Sequence, residues 1–318
     1  MTEERKLQIT KLLNEYIPKI FSLDTLDDLD KLSIQDLITI FSEARIMVND
    51  ERRKYNEHEK TLFKGKIFKV LETLVTKIKT ADKLYVVLDK STLLPYFDGE
   101  KYLYIYSEKD FIEEAIDYFR QQYREFDIIE LNKNEIFNFF GTYFYFYGAN
   151  GIVVDNGQSF IKFNREDFLE KEIFLPKKDF NLVINPEFMS SLILFLQETR
   201  WHVNYEGHDD VLKLLEDNMW KNFKKAQFVI PMIKQENVQE LKEGTNIEIP
   251  NLKNNEGNIA TPIFSDVQSL KNVFKADNIT AFGSDAKGLI TLPNDTLILN
   301  VNNISVAFTK EQLTEKLK

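Results

Sequence analysis

The chain has 318 residues, 43% of them hydrophobic, no cysteine and a formal net charge of −10. Such a length suggests two or three domains with real cores, and the lack of cysteine excludes disulfides, thiolate metal sites and cysteine nucleophiles together. The negative charge argues against a dedicated nucleic-acid or anionic-membrane binder, both of which need positive fields, and favours a basic partner.

The opening residues, MTEERKLQIT, hold no apolar signal core, and the longest apolar run, around Leu192–Leu196, is far short of a bilayer span. The expectation is a soluble, cytoplasmic protein. Residues 1–80 read as an N-terminal helical region. Leu7, Leu12, Leu13, Tyr16 and Ile17 fall near helical spacing, and Ser33-Ile-Gln-Asp36 is a capping-box-like start to a second helix. A third helix carries Ile67, Val70, Leu71, Leu74 and Ile78. The acidic stretch Asp24–Asp30 invites a calcium reading, but Leu29 and Gln35 stand where an EF-hand loop needs Gly and Glu. It is read as a solvated connection, and His58 as part of a charged, exposed helix face.

Residues 81–175 read as a mixed α/β domain. Strands are expected at Leu84–Leu88, Tyr102–Tyr106 and Ile128–Leu131, with helices at Glu108–Tyr123 and Glu135–Phe140. The most aromatic stretch follows, Thr142-Tyr-Phe-Tyr-Phe-Tyr147-Gly148. As a strand it places Tyr143, Tyr145 and Tyr147 on one face and Phe144 and Phe146 on the other. Either the strand is buried on both faces, or the tyrosines form a protein-binding surface, since amphipathic rings are favoured at interfaces.

Residues 176–223 read as a helix-containing connector, with a strand at Asn181–Ile184 and helices at Met189–Leu196 and Leu212–Trp220. Here lie the metal or acid–base candidates, His202, His208 and Asp209. Their spacing fits no H-E-x-x-H helix and no third ligand is evident, so a helix start is the plainer reading. In residues 224–318, Gly283-Ser-Asp-Ala-Lys-Gly288 imitates a phosphate loop, but Leu289 stands where the Lys-Ser/Thr pair should be, so a turn between strands is expected. There is no G-x-S-x-G and no G-x-G-x-x-G, and neither a catalytic residue nor a cofactor is expected.

One unit occurs twice. Gly151–Lys171 (GIVVDNGQSFIKFNREDFLEK) and Thr296–Lys316 (TLILNVNNISVAFTKEQLTEK) align without a gap, with Phe163 over Phe308. Upstream, Ile105-Tyr-Ser-Glu108 is echoed by Ile263-Phe-Ser-Asp266, a strand running into a Ser and an acid. Ser107 and Ser265 read as N-caps, with the acid placed to suit the helix dipole.

This order of motifs resembles the SseB-like (enhanced serine sensitivity) domain family. The likeness is clearest over Lys224–Lys318, with Ala81–Glu172 a more diverged copy. The family often places Asn-Pro after the late apolar strand, whereas Asn300-Val301 and Asp155-Asn156 stand here. The resemblance implies a bacterial cytosolic protein whose molecular role is not settled, and it carries over no catalytic residues.

The expected fold is α+β: an N-terminal helical region followed by two similar mixed α/β SseB-like domains, 81–175 and 224–318, joined by the connector. The expected function is a non-enzymatic protein-interaction or regulatory module whose partner is another protein, a basic one being favoured. The alternative is a small-ligand- or metal-binding enzyme that uses the His202–Asp210 stretch in a cleft between the repeated domains.

Overall fold

The computed structural model describes residues 3–175, 183–234, 247–253, 257, 259–275 and 278–318. Helices α1 (Glu3–Ile20), α2 (Ile34–Val48) and α3 (Glu57–Lys79) lead into strand β1 (Lys83–Asp89). Then come β2 (Leu94–Pro95), β3 (Tyr102–Tyr106), α4 (Lys109–Arg120), β4 (Phe126–Asn132) and α5 (Lys133–Gly141). A turn at Thr142–Phe146 precedes β5 (Gly151–Val154), β6 (Ile161–Asn164), α6 (Arg165–Phe168) and α7 (Lys171–Phe174). Helices α8 (Pro186–Thr199) and α9 (His208–Phe223) are followed by β7 (Gln227–Ile233), β8 (Leu252–Lys253) and β9 (Ile259–Ile263). The chain closes with α10 (Val267–Val273), β10 (Ile279–Asp285), β11 (Thr296–Leu299), β12 (Val306–Thr309) and α11 (Lys310–Lys316). This is a mixed fold of helices and several sheets, consistent with α+β. Among the described residues no helix is long and apolar enough to cross a membrane.

Contacts divide the chain into two compact units, each discontinuous in sequence. The first comprises residues 1–88, 102–140 and 150–170, and the second 89–101, 141–149 and 171–318.

In the first unit the strands run β4-β1-β3-β5-β6. Strands β3 and β5 are parallel, with Leu103 beside Ile152 and Ile105 beside Val154, and β6 returns antiparallel with Phe163 beside Ile152. Capping determines where α2 and α3 begin. Ser33 accepts from the Asp36 N–H while Asp36 accepts from that of Ser33, and Asn56 and Glu59 repeat the arrangement at α3. The ammonium of Lys66 donates to the carbonyls of Lys19, Ser22 and Asp24 at 2.6, 2.7 and 2.7 Å, which satisfies acceptors at and just beyond the end of α1. Ile67, Val70, Leu74 and Ile78 of α3 are buried, as are Val86, Ile105, Ile152 and Phe163 of the sheet.

In the second unit β10 pairs with β7, a bridge joins Val229 of β7 to Phe264, and β9, β11 and β12 continue the order. Here β9 and β11 are parallel, with Thr261 beside Leu297 and Ile263 beside Leu299, and β12 places Phe308 beside Leu297. Phe308 is buried and lies 5.7 and 5.1 Å, ring to ring, from Trp220 and Phe223 of α9.

The expected strand at Thr142–Tyr147 is a π-helical turn instead. It continues α5 directly. Tyr147 N–H reaches back to the Thr142 carbonyl at 3.1 Å, and Gly148, at φ +76°, ends the turn. Alternation by two is thereby lost: Tyr143 stacks on Tyr147 at 5.0 Å, and Tyr145 stacks on Phe174 at 6.4 Å. The expected strand Asn181–Ile184 begins outside the described residues, and its described part, Val183 and Ile184, is not in a strand. Gly283–Asp285, expected as a turn, completes β10 because each residue pairs with β7.

Candidate functional site

In α/β proteins ligands collect beyond the carboxyl ends of parallel strands, so those ends come first. Residues 155 and 300 follow the inner parallel strand of each unit, and both adopt a left-handed backbone, with φ of 57° for Asp155 and 47° for Asn300. That region tolerates Asn and Asp best among residues bearing a side chain. Each backbone N–H donates back to the neighbouring strand, Asp155 to the Ile105 carbonyl at 2.9 Å and Asn300 to the Ile263 carbonyl at 3.0 Å. Each side chain then turns onto the serine that follows that strand. Asp155 accepts from Ser107 N–H and Oγ, both at 2.7 Å, while Asn300 accepts from Ser265 N–H at 2.9 Å and donates to its Oγ at 2.8 Å.

The expected N-cap role of these serines is therefore corrected. Glu108 and Asp266 hold the N-cap positions, and only Asp266 caps through its side chain, accepting from Ser269 N–H at 2.7 Å. The Ser107 hydroxyl donates to Asp155 instead, while that of Ser265 accepts from Asn300 and donates to the neighbouring Asp266 at 2.7 Å. The two sites differ in charge. Burial pushes the Asp155 carboxyl up to about 6, against the lowering effect of its hydrogen bonds from Ser107. Beside it the hydroxyl of the fully buried Tyr106 has no hydrogen-bond partner among the described residues. In the second unit Asn185 adds donors to the Gln227 and Ser265 carbonyls at 2.6 and 2.8 Å, so that with Asn300 the network ties together four chain segments.

A second feature lies in the first unit, an open groove of about 920 Å³ floored by α2, α3 and β6. Its walls are mainly apolar, and three large side chains stand out on it: Ile46, Phe68 and Phe160 are 66, 57 and 54% exposed. Arg45 and Glu72 also line it. Sequence periodicity had assigned none of these residues a role. The signal was present only as Phe68 and Ile46 interrupting otherwise polar helix faces.

Residues 215–315 match the family profile of the SseB protein N-terminal domain. The SseB-like segment thus starts within α9 and reaches α11, so it holds the Ser265–Asn300 pair and the β9–β11–β12 ladder. No curated protein and no solved structure matches the chain.

The remaining candidates sit as follows. Tyr145 and Tyr147 are buried and Tyr143 is half-buried, and Tyr147 accepts a hydrogen bond from Asn303 inside the SseB-like segment. His208 opens α9 behind Gly207, its Nε2 3.5 Å from Glu198, whose Oε1 also accepts from the Tyr205 hydroxyl at 2.8 Å. His202 and Asp209 are exposed. Among the described residues no group of three His, Asp or Glu side chains is placed to hold a metal ion.

Proposed function

We propose that the chain is a non-enzymatic protein-interaction module built from two SseB-like copies, the second over the matched segment and the first, more diverged, over residues 81–175. Support for the first copy is the shared strand order and register, with Phe163 and Phe308 each opposite the second residue of the inner parallel strand. A cytoplasmic, bacterial setting follows from the same likeness. The observation that carries the binding role is the groove, because a soluble surface seldom leaves three large apolar side chains exposed on one concavity unless a partner covers them.

The test is affinity capture from native cytosol with the full chain as bait, compared with a Phe68→Glu/Phe160→Glu bait of unchanged melting temperature. A protein retained by the first bait and lost from the second is the expected result. Identical capture by both baits would remove the groove from the interaction.

A further inference from the structure

The groove's occupant can be argued from the second unit, where the corresponding helix face is already covered. Helices α8 and α9 precede β7 as α2 and α3 precede β1. The hairpin links Asn49–Asn56 and Arg200–Gly207 are equal in length, and so are the links to the strand, Thr80–Asp82 and Lys224–Ala226. Counting from these links sets Ile46 and Asn49 at the positions of Gln197 and Arg200. In the second unit those positions hold a piece of chain. The Gln197 amide exchanges hydrogen bonds with both backbone groups of Phe97, at 3.0 and 2.9 Å, and Arg200 donates to the Ser91 carbonyl at 2.9 Å. That covering segment includes the short strand β2 and buries Leu94 and Phe97. On α2 of the first unit the same face is the open wall of the groove.

Charge gives the second half of the inference. Counted back from the strand links instead of the hairpin links, along helices of 23 and 16 residues, Glu72 of α3 takes the position of Glu216 of α9. Glu216 accepts from Lys316 at 2.8 Å and from the Trp220 indole at 3.1 Å, the lysine arriving on the second turn of α11. In the first unit the helix after β6 stops at Phe168, and among the described residues no basic side chain pairs with Glu72. The neighbouring strand completes the site. Among the described residues β6 is outermost in its sheet, its residues Ile161–Phe163 and the preceding Phe160 line the groove, and an outer strand edge is a template for another extended chain.

We infer that the groove takes an extended segment of a partner protein that carries large apolar residues at alternate positions and a basic residue that seats on Glu72. The inference rests on the proposed interaction role and adds the chemistry of the partner. Ile46, Phe68 and Phe160 receive the apolar side chains. The Arg45 guanidinium, which pairs with no carboxylate among the described residues, lines the groove one turn before Asn49 and faces the segment's carbonyls. The chain's net charge of −10 works in the same direction, drawing a basic segment toward it.

The probe is a displayed library of random peptides of about nine residues, a length suited to strand addition, selected on the immobilised full chain. Enriched sequences are then made as free peptides and titrated. The expected consensus holds a Lys or Arg and two large apolar residues spaced two apart. Glu72→Lys should weaken these peptides by about tenfold or more, and exchanging the peptide's basic residue for Glu should restore most of that loss, as complementary charge reversal does. Phe68→Glu should abolish binding. Both substitutions lie at exposed positions, so unchanged melting curves will show that the fold is intact. The proposal is overturned by apolar residues spaced three and four apart, by an acidic consensus, by affinity indifferent to Glu72→Lys, or by no enrichment at all. Concentration-dependent self-association abolished by Phe68→Glu would give the groove to a second copy of the chain and overturn it equally. If lysate capture depends on Phe68 while the peptides ignore Glu72, the interaction role stands and the basic, extended partner does not.

Discussion

Asp155 and Ser107 are joined by two hydrogen bonds of 2.7 Å, and the pair recurs as Asn300 and Ser265 with the carboxylate replaced by an amide. The replacement leaves the geometry nearly unchanged, and in the second unit the buried carboxylate of the cluster is Asp266, which accepts from the Ser265 and Ser269 hydroxyls, both at 2.7 Å.

The first prediction follows from that difference. Asp155 rises from an ordinary value of 3.8 to about 6 because burial penalises its charge. The folded chain therefore binds the proton more tightly than the unfolded one, and stability is lost as pH climbs from about 4 through about 6, by about 3 kcal/mol in all. Asp155→Asn, which copies Asn300, should raise stability by about 1–3 kcal/mol at pH 8 and by only a few tenths at about pH 4. Urea midpoints at the two pH values decide it. No gain at pH 8, or an equal gain at both, would mean that the carboxylate is not paying a burial penalty.

The aromatic turn supplies the second. Phe144 is fully buried and Tyr145 nearly so, their rings meeting edge to face at 6.3 Å while Tyr145 also stacks on Phe174. Each truncation to Ala should cost about 3–5 kcal/mol, the range for a buried large aromatic. A stable Tyr145→Ala beside a badly destabilised Phe144→Ala would return the tyrosines to the surface role.

Two glycines make opposite demands. Gly65 sits in α3 with open space where a Cβ would be, so Gly65→Ala should stabilise by about 0.5–1 kcal/mol. Gly148 combines a positive φ with direct contact between any added Cβ and the Pro186 carbonyl. Gly148→Ala should cost at least about 1–3 kcal/mol, since left-handed strain and a backbone clash act together. Thermal melts of the pair, run side by side, check both signs.

The histidines yield the fourth. Zinc, manganese and magnesium should leave the melting temperature unmoved in wild type and in a His202→Ala/His208→Ala variant alike. A stabilisation by any of them that vanishes in the variant would revive the metal reading.

Local chemistry made much of this protein legible in its sequence. Ser33 with Asp36 determines where α2 starts because a cap involves neighbours three residues apart, and the ladder ending at Phe163 or Phe308 could be read because alternation and a polar turn are features of a few consecutive residues. Tertiary structure decided the rest. The residues Thr142–Phe146 have the composition of a strand, yet the helix before them, Phe174 packed on Tyr145 and Gly148 turning against Pro186 hold them in a wide turn. Ser107 and Ser265 had every local mark of a cap, yet the cap position falls one residue later, on Glu108 and Asp266, and the serines bond to side chains nearly fifty and thirty-five residues away that approach only when parallel strands pair. The groove was invisible for the same reason. Ile46, Phe68 and Phe160 are unremarkable one by one, and only the packing of two helices beside an outer strand sets them on one surface.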